Sequence, residues 1–267
     1  MGAGRLDGRI ALVSGGLRGI GRAICTCLAA DGASVVITDL DAADSGEAVA
    51  AIDTIENASY IQLDATQEDA WIAARAQVER DFGHLDILVN NVGSDLTGKV
   101  QDLALADWRR LMTLNVDTVF LGTKTFQPLL AKAGASTPYG SSIVNVSSIM
   151  GLVGMGDVSA YNASKGAVRL FSKSNALEFA DAGIPIRVNS IHPGFVETPL
   201  LHQGMARWAE RDGVTAQELI DGMAATTPIK RLAQPVEIAK VVAFLASDDA
   251  SYMTGSEVVV DGGWTAR

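Results

Sequence analysis

Short apolar, β-branched runs recur along the chain at Ile10 to Ser14, Ser34 to Thr38, Ser59 to Leu63, Asp86 to Asn90, Ser142 to Ser147, Ile186 to Ile191 and Glu257 to Val260. They predict seven strands. Several, such as Ile10-Ala11-Leu12-Val13, are almost continuously apolar, the pattern of a strand buried on both faces of a parallel sheet. Between them lie stretches with helical periodicity, for example Ala104 to Lys132 and Ser159 to Ala182. Strand and helix therefore alternate, and the expected fold is α/β, a doubly wound parallel sheet with helices on both faces. No repeat and no Pro/Gly/Ser linker divides residues 1–267, so one domain is expected. Alternation lapses once, over about 199–228, where a segment rich in Leu, Met and Trp predicts a lid.

Composition narrows the setting. With 48% hydrophobic and 19% charged residues, 27 glycines and 7 prolines, disorder, collagen and low complexity are excluded. The length would allow two domains at about 150 residues each, but α/β proteins of roughly 200–250 residues commonly fold as one. A formal charge of −10 without a basic cluster excludes nucleic acid and anionic membrane as natural partners. No run reaches the roughly 18–20 apolar residues of a membrane span. Met1 to Leu6 lacks the apolar segment of a signal peptide, and Leu6 stands where a myristoylation motif needs Ser or Thr. A cytoplasmic location is the expectation. Cys25 and Cys27, two apart on a predicted helix, point to different faces and read as reduced packing residues. His84, His192 and His202 are scattered without ligand spacing, so no metal is expected.

The first strand runs into Ser14-Gly15-Gly16-Leu17-Arg18-Gly19-Ile20-Gly21 and then a helix from Arg22 to Ala30. Glycine backbone meeting a helix N-terminus suits a pyrophosphate, because unpaired N–H groups and the positive end of the helix dipole face it. The spacing is G-x-x-x-G-x-G and not the general G-x-G-x-x-G fingerprint, so a tight strand-to-helix turn without a ligand is the competing reading. Asp39 shifts the balance toward a Rossmann-type dinucleotide site. It closes the second strand 18 residues after Gly21, where a carboxylate receives the adenosine ribose hydroxyls and repels a 2′-phosphate. NAD is therefore expected over NADP. Arg18 argues the other way, since it could reach such a phosphate, and an exposed arginine with no ligand role fits equally. A phosphate there would meet three acids, Asp39, Asp41 and Asp44, and one cation.

Tyr161 and Lys165 lie four apart on a predicted helix and so share a face. An unperturbed phenol, pKa about 10, is too rarely ionised at pH 7 to act as a base. A lysine cation about 4.5 Å away, at an effective dielectric near 20, is worth roughly 3.7 kcal/mol and is expected to lower that pKa by about 2–3. A surface Tyr and Lys at helical spacing is the bland alternative. Ser148, 13 residues before Tyr161, ends the fifth strand at the carboxyl edge and can donate to a carbonyl oxygen gaining charge. Its neighbour Ser147 points to the opposite face by strand alternation, so only one of the two can serve. Asn115, on a predicted helix behind the site, either holds a water linking Lys165 to solvent or merely satisfies buried backbone.

With these residues in place the chain resembles the short-chain dehydrogenase/reductase family over essentially its whole length. The family's T-G-x-x-x-G-x-G appears with Ser14 in place of Thr, which keeps the hydroxyl. Its N-N-A-G appears as Asn90-Asn91-Val92-Gly93, Y-x-x-x-K as Tyr161 to Lys165, and the P-G turn as Pro193-Gly194. The resemblance implies a catalytic tetrad of Asn115, Ser148, Tyr161 and Lys165, with Lys165 also on the nicotinamide ribose. It places Gly15, Arg18, Ile20, Asp39, Asp64, Ala65, Asn91, Gly93, Val196 and Thr198 at cofactor-contacting positions, alongside Gly19, Gly21 and the Pro193-Gly194 turn. It implies hydride transfer between the nicotinamide and a substrate carbon. The stretches Ile191-His192-Pro193 and Ser251 to Glu257 are similar to bacterial hydroxysteroid dehydrogenases, and cyclic-alcohol dehydrogenases share them. The last strand and tail, Gly255 to Gly263, resemble those through which the family's tetramers pack, so a homotetramer is expected; burial within a monomer is the alternative.

Met150, Val153 and Met155 after Ser148, and Leu200, Leu201, Met205 and Trp208 in the insertion, are candidate substrate contacts, with ordinary core packing as the alternative. Arg207 and Arg211 could clamp an anion, yet a solvated helix face explains them adequately. The expected activity is NAD-dependent oxidation of a neutral, bulky secondary alcohol, cyclic, aryl or steroid-like, or reduction of its ketone. Competing expectations are an NADP-dependent ketone or 3-oxoacyl-thioester reductase and, from another class, a catalytically inactive dinucleotide sensor. The presence of both Tyr161 and Lys165 speaks against the last.

Overall fold

All seven apolar runs become strands of one sheet in the computed structural model, which describes residues 4–266. The N-terminal reading of Met1 to Ala3 lies outside the described residues. The chain runs β1 (Ile10–Ser14), α1 (Gly19–Ala30), β2 (Ser34–Asp39), α2 (Gly46–Thr54), β3 (Ala58–Gln62), α3 (Glu68–Phe82) and β4 (Ile87–Asn90). It continues through α4 (Leu105–Met112), α5 (Thr118–Gly134), β5 (Ser141–Val146), α6 (Ser159–Asp181), β6 (Ile186–Pro193), α7 (Pro199–Asp212), α8 (Ala216–Thr226), α9 (Pro235–Ala246) and β7 (Glu257–Val260). Every pairing is parallel, in the order β3-β2-β1-β4-β5-β6-β7. Strand order reverses between β1 and β4, and ligands of such sheets bind at the strand C-termini beside that switch point.

Alternation along the strands feeds two cores. Ala11 and Val13 of β1 face one side with Val35, Ile37, Val89 and Val144, where α1, α2 and α9 supply Ile24, Leu28, Ala48, Ala51, Ile238 and Val242. Ile10 and Leu12 face the other with Val36, Leu88, Ile143 and Val188, beneath Trp71, Val78, Phe126 and Phe179 of α3, α5 and α6. Burial on both faces explains why these strands are apolar throughout. Each fully buried Val, Leu, Ile or Phe among them contributes about 1.5–3 kcal/mol of transfer free energy. Trp71, the largest, also satisfies its indole N–H on Ala65 O at 2.8 Å.

Three details depart from the sequence reading. The predicted helix from Ala104 to Lys132 is α4 and α5 joined by a π-helical turn, Thr113–Asp117. Strand β5 stops at Val146, so Ser148 stands two residues beyond it and caps a short 3-10 turn, Ile149–Gly151. The insertion folds into α7 and α8. Thr198 caps α7 by accepting from Leu201 N, and Thr215 and Glu218 form a capping box on α8. Its stems are tied where Ala233 N donates to Phe195 O and Glu197 N donates to Ala233 O, both at 2.9 Å. No helix among the described residues is long and apolar enough to cross a membrane.

Candidate active site

A cleft of about 580 Å³ opens at the C-terminal ends of β1, β2, β4, β5 and β6. Its floor is the glycine turn between β1 and α1. Gly15 (φ 66°) and Gly19 (φ 53°) adopt left-handed backbone that favours glycine. A Cβ on Gly21 would overlap the Gly15 carbonyl. The first turn of α1 has neither a side-chain cap nor an acidic residue. Bare backbone at an uncapped helix N-terminus fits a dinucleotide's pyrophosphate. Ser14 shows why a hydroxyl is needed one residue earlier: its Oγ accepts from Asn91 N at 3.0 Å and donates to Val89 O at 3.4 Å. Asn91 in turn donates its amide to the carbonyls of Ser14 and Gly15, each at 3.0 Å.

At one end of the cleft Asp39 accepts from Leu17 N (3.1 Å) and Leu40 N (2.8 Å), which fixes its carboxylate at the tip of β2 with lone pairs left for a diol. Arg18 does not stand free. Its guanidinium is paired with Asp41 and lies 3.1 Å from Glu47.

Of the residues expected to hold the dinucleotide, Gly15, Arg18, Gly19, Ile20, Gly21, Asp39, Asn91, Gly93, Pro193, Gly194, Val196 and Thr198 line this cleft. Asp64 and Ala65 do not; they follow β3, where Asp64 accepts from Thr66 N and Oγ1 at 3.0 and 2.6 Å.

The reacting centre lies across β5 and α6. Ser148 Oγ accepts from Met150 N at 3.1 Å, which engages a lone pair and leaves the O–H to donate into the cleft. Ser147 is occupied, its Oγ donating to Lys165 O at 2.9 Å. Tyr161 and Lys165 both face the cleft from the first two turns of α6. Asn115 is fully buried in the π turn. Its Oδ1 accepts from Ser94 N at 2.8 Å, and its Nδ2 donates to Ser94 O and Ser164 Oγ, both at 2.9 Å. It braces the segment after β4 against α6. A Cβ on Gly93 would be a tight fit, 3.2 Å from Asn115 Oδ1 and 3.3 Å from Lys165 Nζ.

The electrostatics correct one expectation. Burial pushes the Tyr161 phenol up to about 12; the Ser148 hydroxyl opposes this and the Asp95 charge adds to it. The depression expected from Lys165 is absent because the ammonium is buried too, which pulls it down to about 8. Lys165 Nζ donates to Val146 O at 3.0 Å and stands 5.8 Å from the Tyr161 ring centre. Desolvation outweighs a distant and weakened cation.

The other end of the cleft is walled by Met150, Met155, Leu200, Leu201, Met205 and Trp208 as expected, and also by Phe195, Met223, Ser94, Asp95, Thr97 and Gln203. Val153 is the exception: it is 37% exposed and stands outside the wall. Phe195 follows the Pro193-Gly194 turn directly, a signal that would have found it. Arg207 and Arg211 lie on an exposed face of α7, as the solvated-face reading has it, and each is already paired with a carboxylate. Arg207 pairs with Asp95 at 2.6 Å, and Arg211 with Asp157 at 2.8 Å and Asp212 at 2.6 Å, tying α7 to the loops below it.

Comparison with known proteins agrees with this geometry. A family model described as enoyl-(acyl carrier protein) reductase matches residues 15–265. The 3-alpha-(or 20-beta)-hydroxysteroid dehydrogenase of Mycobacterium tuberculosis is 43% identical over 99% of this chain and 92% of its own. The NADP-dependent (R)-specific alcohol dehydrogenase of Lentilactobacillus kefiri is 38% identical over 98% and 99%. Among solved structures, ligand-free aldohexose dehydrogenase from Thermoplasma acidophilum superposes with a TM-score of 0.86 at 29% identity, covering 100% of this chain and 97% of that one. With its glycine turn, Asn91 and Gly93, Ser148 and the Tyr161–Lys165 pair on one cleft, the chain belongs to the short-chain dehydrogenase/reductase family.

Proposed function

We propose that this chain is an NAD-dependent dehydrogenase of neutral, bulky secondary alcohols, cyclic, aryl or steroid-like, and a reductase of the matching ketones. The observation that carries the reading is the division of one cleft. Its glycine floor ends at the Asp39 carboxylate, and its far wall is built mainly of Met150, Met155, Phe195, Leu201, Met205, Trp208 and Met223, with Ser94, Asp95, Thr97 and Gln203 as its polar members. The Asp95 charge in that wall is answered by Arg207, whose cation is thereby engaged and not free for a carboxylate or a coenzyme A phosphate. The M. tuberculosis relative, named for hydroxysteroids, supports the same substrate class.

The bound dinucleotide supplies the ring carbon that exchanges hydride with the substrate carbon and, when oxidised, a positive charge in the cleft. Ser148 donates its O–H to the substrate oxygen. Tyr161 removes the proton from that oxygen on oxidation and returns it on reduction. Lys165 holds the nicotinamide ribose and offers the cation nearest the phenol, while Asn115 fixes the backbone at Ser94 and the helix turn at Ser164. The cleft residues Gly15, Asp39, Asn91, Gly93, Val196 and Thr198 are assigned to the dinucleotide, and Asp64 and Ala65 remain candidates for its adenine end.

An NADP-dependent ketone or acyl-thioester reductase is the second reading, favoured by the L. kefiri relative's NADP dependence and by Arg18 at the cleft edge. Initial rates on a panel of secondary alcohols, polyols and acyl thioesters, each with both dinucleotides, decide between them. We also propose a homotetramer. β7 is an edge strand with Val259 41% exposed, and such edges are commonly covered. Light scattering on the purified chain tests this.

A further inference from the structure

His192 sits on β6 one residue before the Pro193-Gly194 turn and is fully buried. It does not reach the cleft wall. Its Nδ1 lies 2.9 Å from the carbonyl oxygen of Ser148, and its Nε2 lies 2.9 Å from Ser190 Oγ. A carbonyl can only accept, so Nδ1 carries the proton. Nε2 is then a bare lone pair, and the Ser190 hydroxyl, itself buried, is the donor within reach. Burial lowers the His192 pKa, in keeping with a neutral ring that has one defined tautomer. The two bonds use the ring as a rigid strut from β6 to the residue after β5.

The place where the strut lands matters. Ser148 is past the last rung of β5 and is held by the turn it caps: its carbonyl also accepts from Gly151 N at 2.9 Å, and its Oγ accepts from Met150 N at 3.1 Å. No sheet hydrogen bond clamps its carbonyl, whereas Ser147 N donates to Ile191 O at 2.9 Å. The Nδ1–H bond supplies the missing cross-strand tie at the residue whose hydroxyl faces the substrate.

We infer that His192 is a positioning residue that fixes the Ser148 turn, and thereby the direction of the Ser148 hydroxyl relative to Tyr161, through its Nδ1–H bond to the Ser148 carbonyl. The inference rests on the alcohol dehydrogenase reading for its kinetic consequence and on the hydrogen bonds alone for its structural one. Misplacing a reacting group by about 1 Å costs on the order of a hundredfold in rate. The effect of losing the strut should therefore fall on kcat and leave dinucleotide binding alone.

The test compares wild type with His192→Phe, which keeps a ring but removes the donor, and His192→Asn, whose amide N–H can replace Nδ1–H. Each is made alone and on Ser148→Ala, and assayed with a secondary alcohol that the wild type oxidises. His192→Phe should lower kcat about tenfold or more with the KM for NAD within about threefold, and His192→Asn should recover most of the loss. On Ser148→Ala, adding His192→Phe should change kcat by less than about twofold, because the coupled residues act as one unit. Equal losses in the Phe and Asn variants, or a full loss repeated on Ser148→Ala, overturns the inference. If the wild type oxidises no alcohol, the functional reading falls and the inference is still decided. Imidazole nitrogen resonances of the wild type must then show a neutral Nδ1–H ring at His192, and a crystal structure of His192→Asn must keep Ser148 in place. An Nε2–H tautomer overturns it. So does a His192→Asn structure in which the substituted amide makes no bond to the Ser148 carbonyl and Ser148 has nonetheless not moved. Should the Phe variant not fold, the Asn variant and the resonances carry the same decision.

Discussion

Arg18 is held by two carboxylates, Asp41 and, at 3.1 Å, Glu47, so this cation beside the glycine turn is answered before any dinucleotide binds. A 2′-phosphate would have to displace both acids and approach Asp39 as well. We therefore expect NAD to be preferred, and Asp39→Ala to relax the preference more than Arg18→Ala does. Losing charge-assisted hydrogen bonds to the ribose, about 1.5–3 kcal/mol, should raise the KM for NAD by roughly tenfold to a hundredfold. A higher wild-type kcat/KM with NADP would refute this.

Tyr161→Phe should lower kcat by about 10²–10⁴ while NAD binding stays within severalfold, since the ring remains and only the transferable proton is lost. Lys165→Ala should damage both, because it removes the ribose contact and the cation nearest the phenol. Retention of most activity by the Phe variant sinks the proposed mechanism.

Burial holds the unliganded Tyr161 phenol near 12, and a positive nicotinamide must bring it down, because a nearby cation favours the charged phenolate. At about pH 9, an unshifted phenol would already be about one-tenth ionised. The unliganded wild type should show no more phenolate absorption at that pH than Tyr161→Phe does. Saturating NAD should add a phenolate signal to the wild type and none to the variant. A signal from Tyr161 before NAD is added would show that the electrostatic account has the wrong sign.

Seven strands were legible because a sheet buried on both faces writes continuous apolar runs, and boundaries moved by only a residue or two, as at Ser148. The glycine turn, Asp39 and the Tyr161–Lys165 spacing were legible because each is local. What the chain hid is set by distance. The π turn around Asn115, Thr113–Asp117, joins α4 to α5 directly and holds no Pro or Gly, so nothing in the sequence marks a break in the helix. The Tyr161 shift reversed because desolvation depends on what packs over α6, which spacing does not record. Arg207 and Arg211 are exposed as read, but their ion pairs were hidden because the partners, Asp95 and Asp157, lie 112 and 54 residues away.

Those two ion pairs lead to a prediction about the lid. Asp95 nests against α7 at Gly204, where a Cβ would overlap its carboxylate. Arg207→Ala removes an exposed pair worth about 0–1 kcal/mol and should raise the KM for the alcohol up to about fivefold. Gly204→Ala pushes the Asp95 carboxylate out of its place beside Arg207 and should raise the same KM in the same direction. NAD binding should be unchanged in both. An effect on NAD larger than on the alcohol would show that α7 does not cover the substrate.

The apolar wall predicts how rate follows substrate size. Met150, Met155, Met205 and Met223 surround the space beyond Ser148 with Phe195 and Trp208, and unbranched thioethers adapt to differently shaped rings. A dinucleotide seated on the glycine turn would take that end of the cleft of about 580 Å³, leaving only the remainder for the substrate. Within that remainder each added methylene buried in the transition state contributes roughly 0.8 kcal/mol, close to fourfold in kcat/KM. Along a series of growing cyclic alcohols, kcat/KM should therefore climb until the ring meets the α7 wall, then fall. Met205→Ala should move the maximum to a larger ring, because it deepens the wall without touching Ser148 or Tyr161. A flat series, a maximum that does not move in Met205→Ala, or faster turnover of polyols and acyl thioesters than of any apolar alcohol would each show that the wall does not select the substrate.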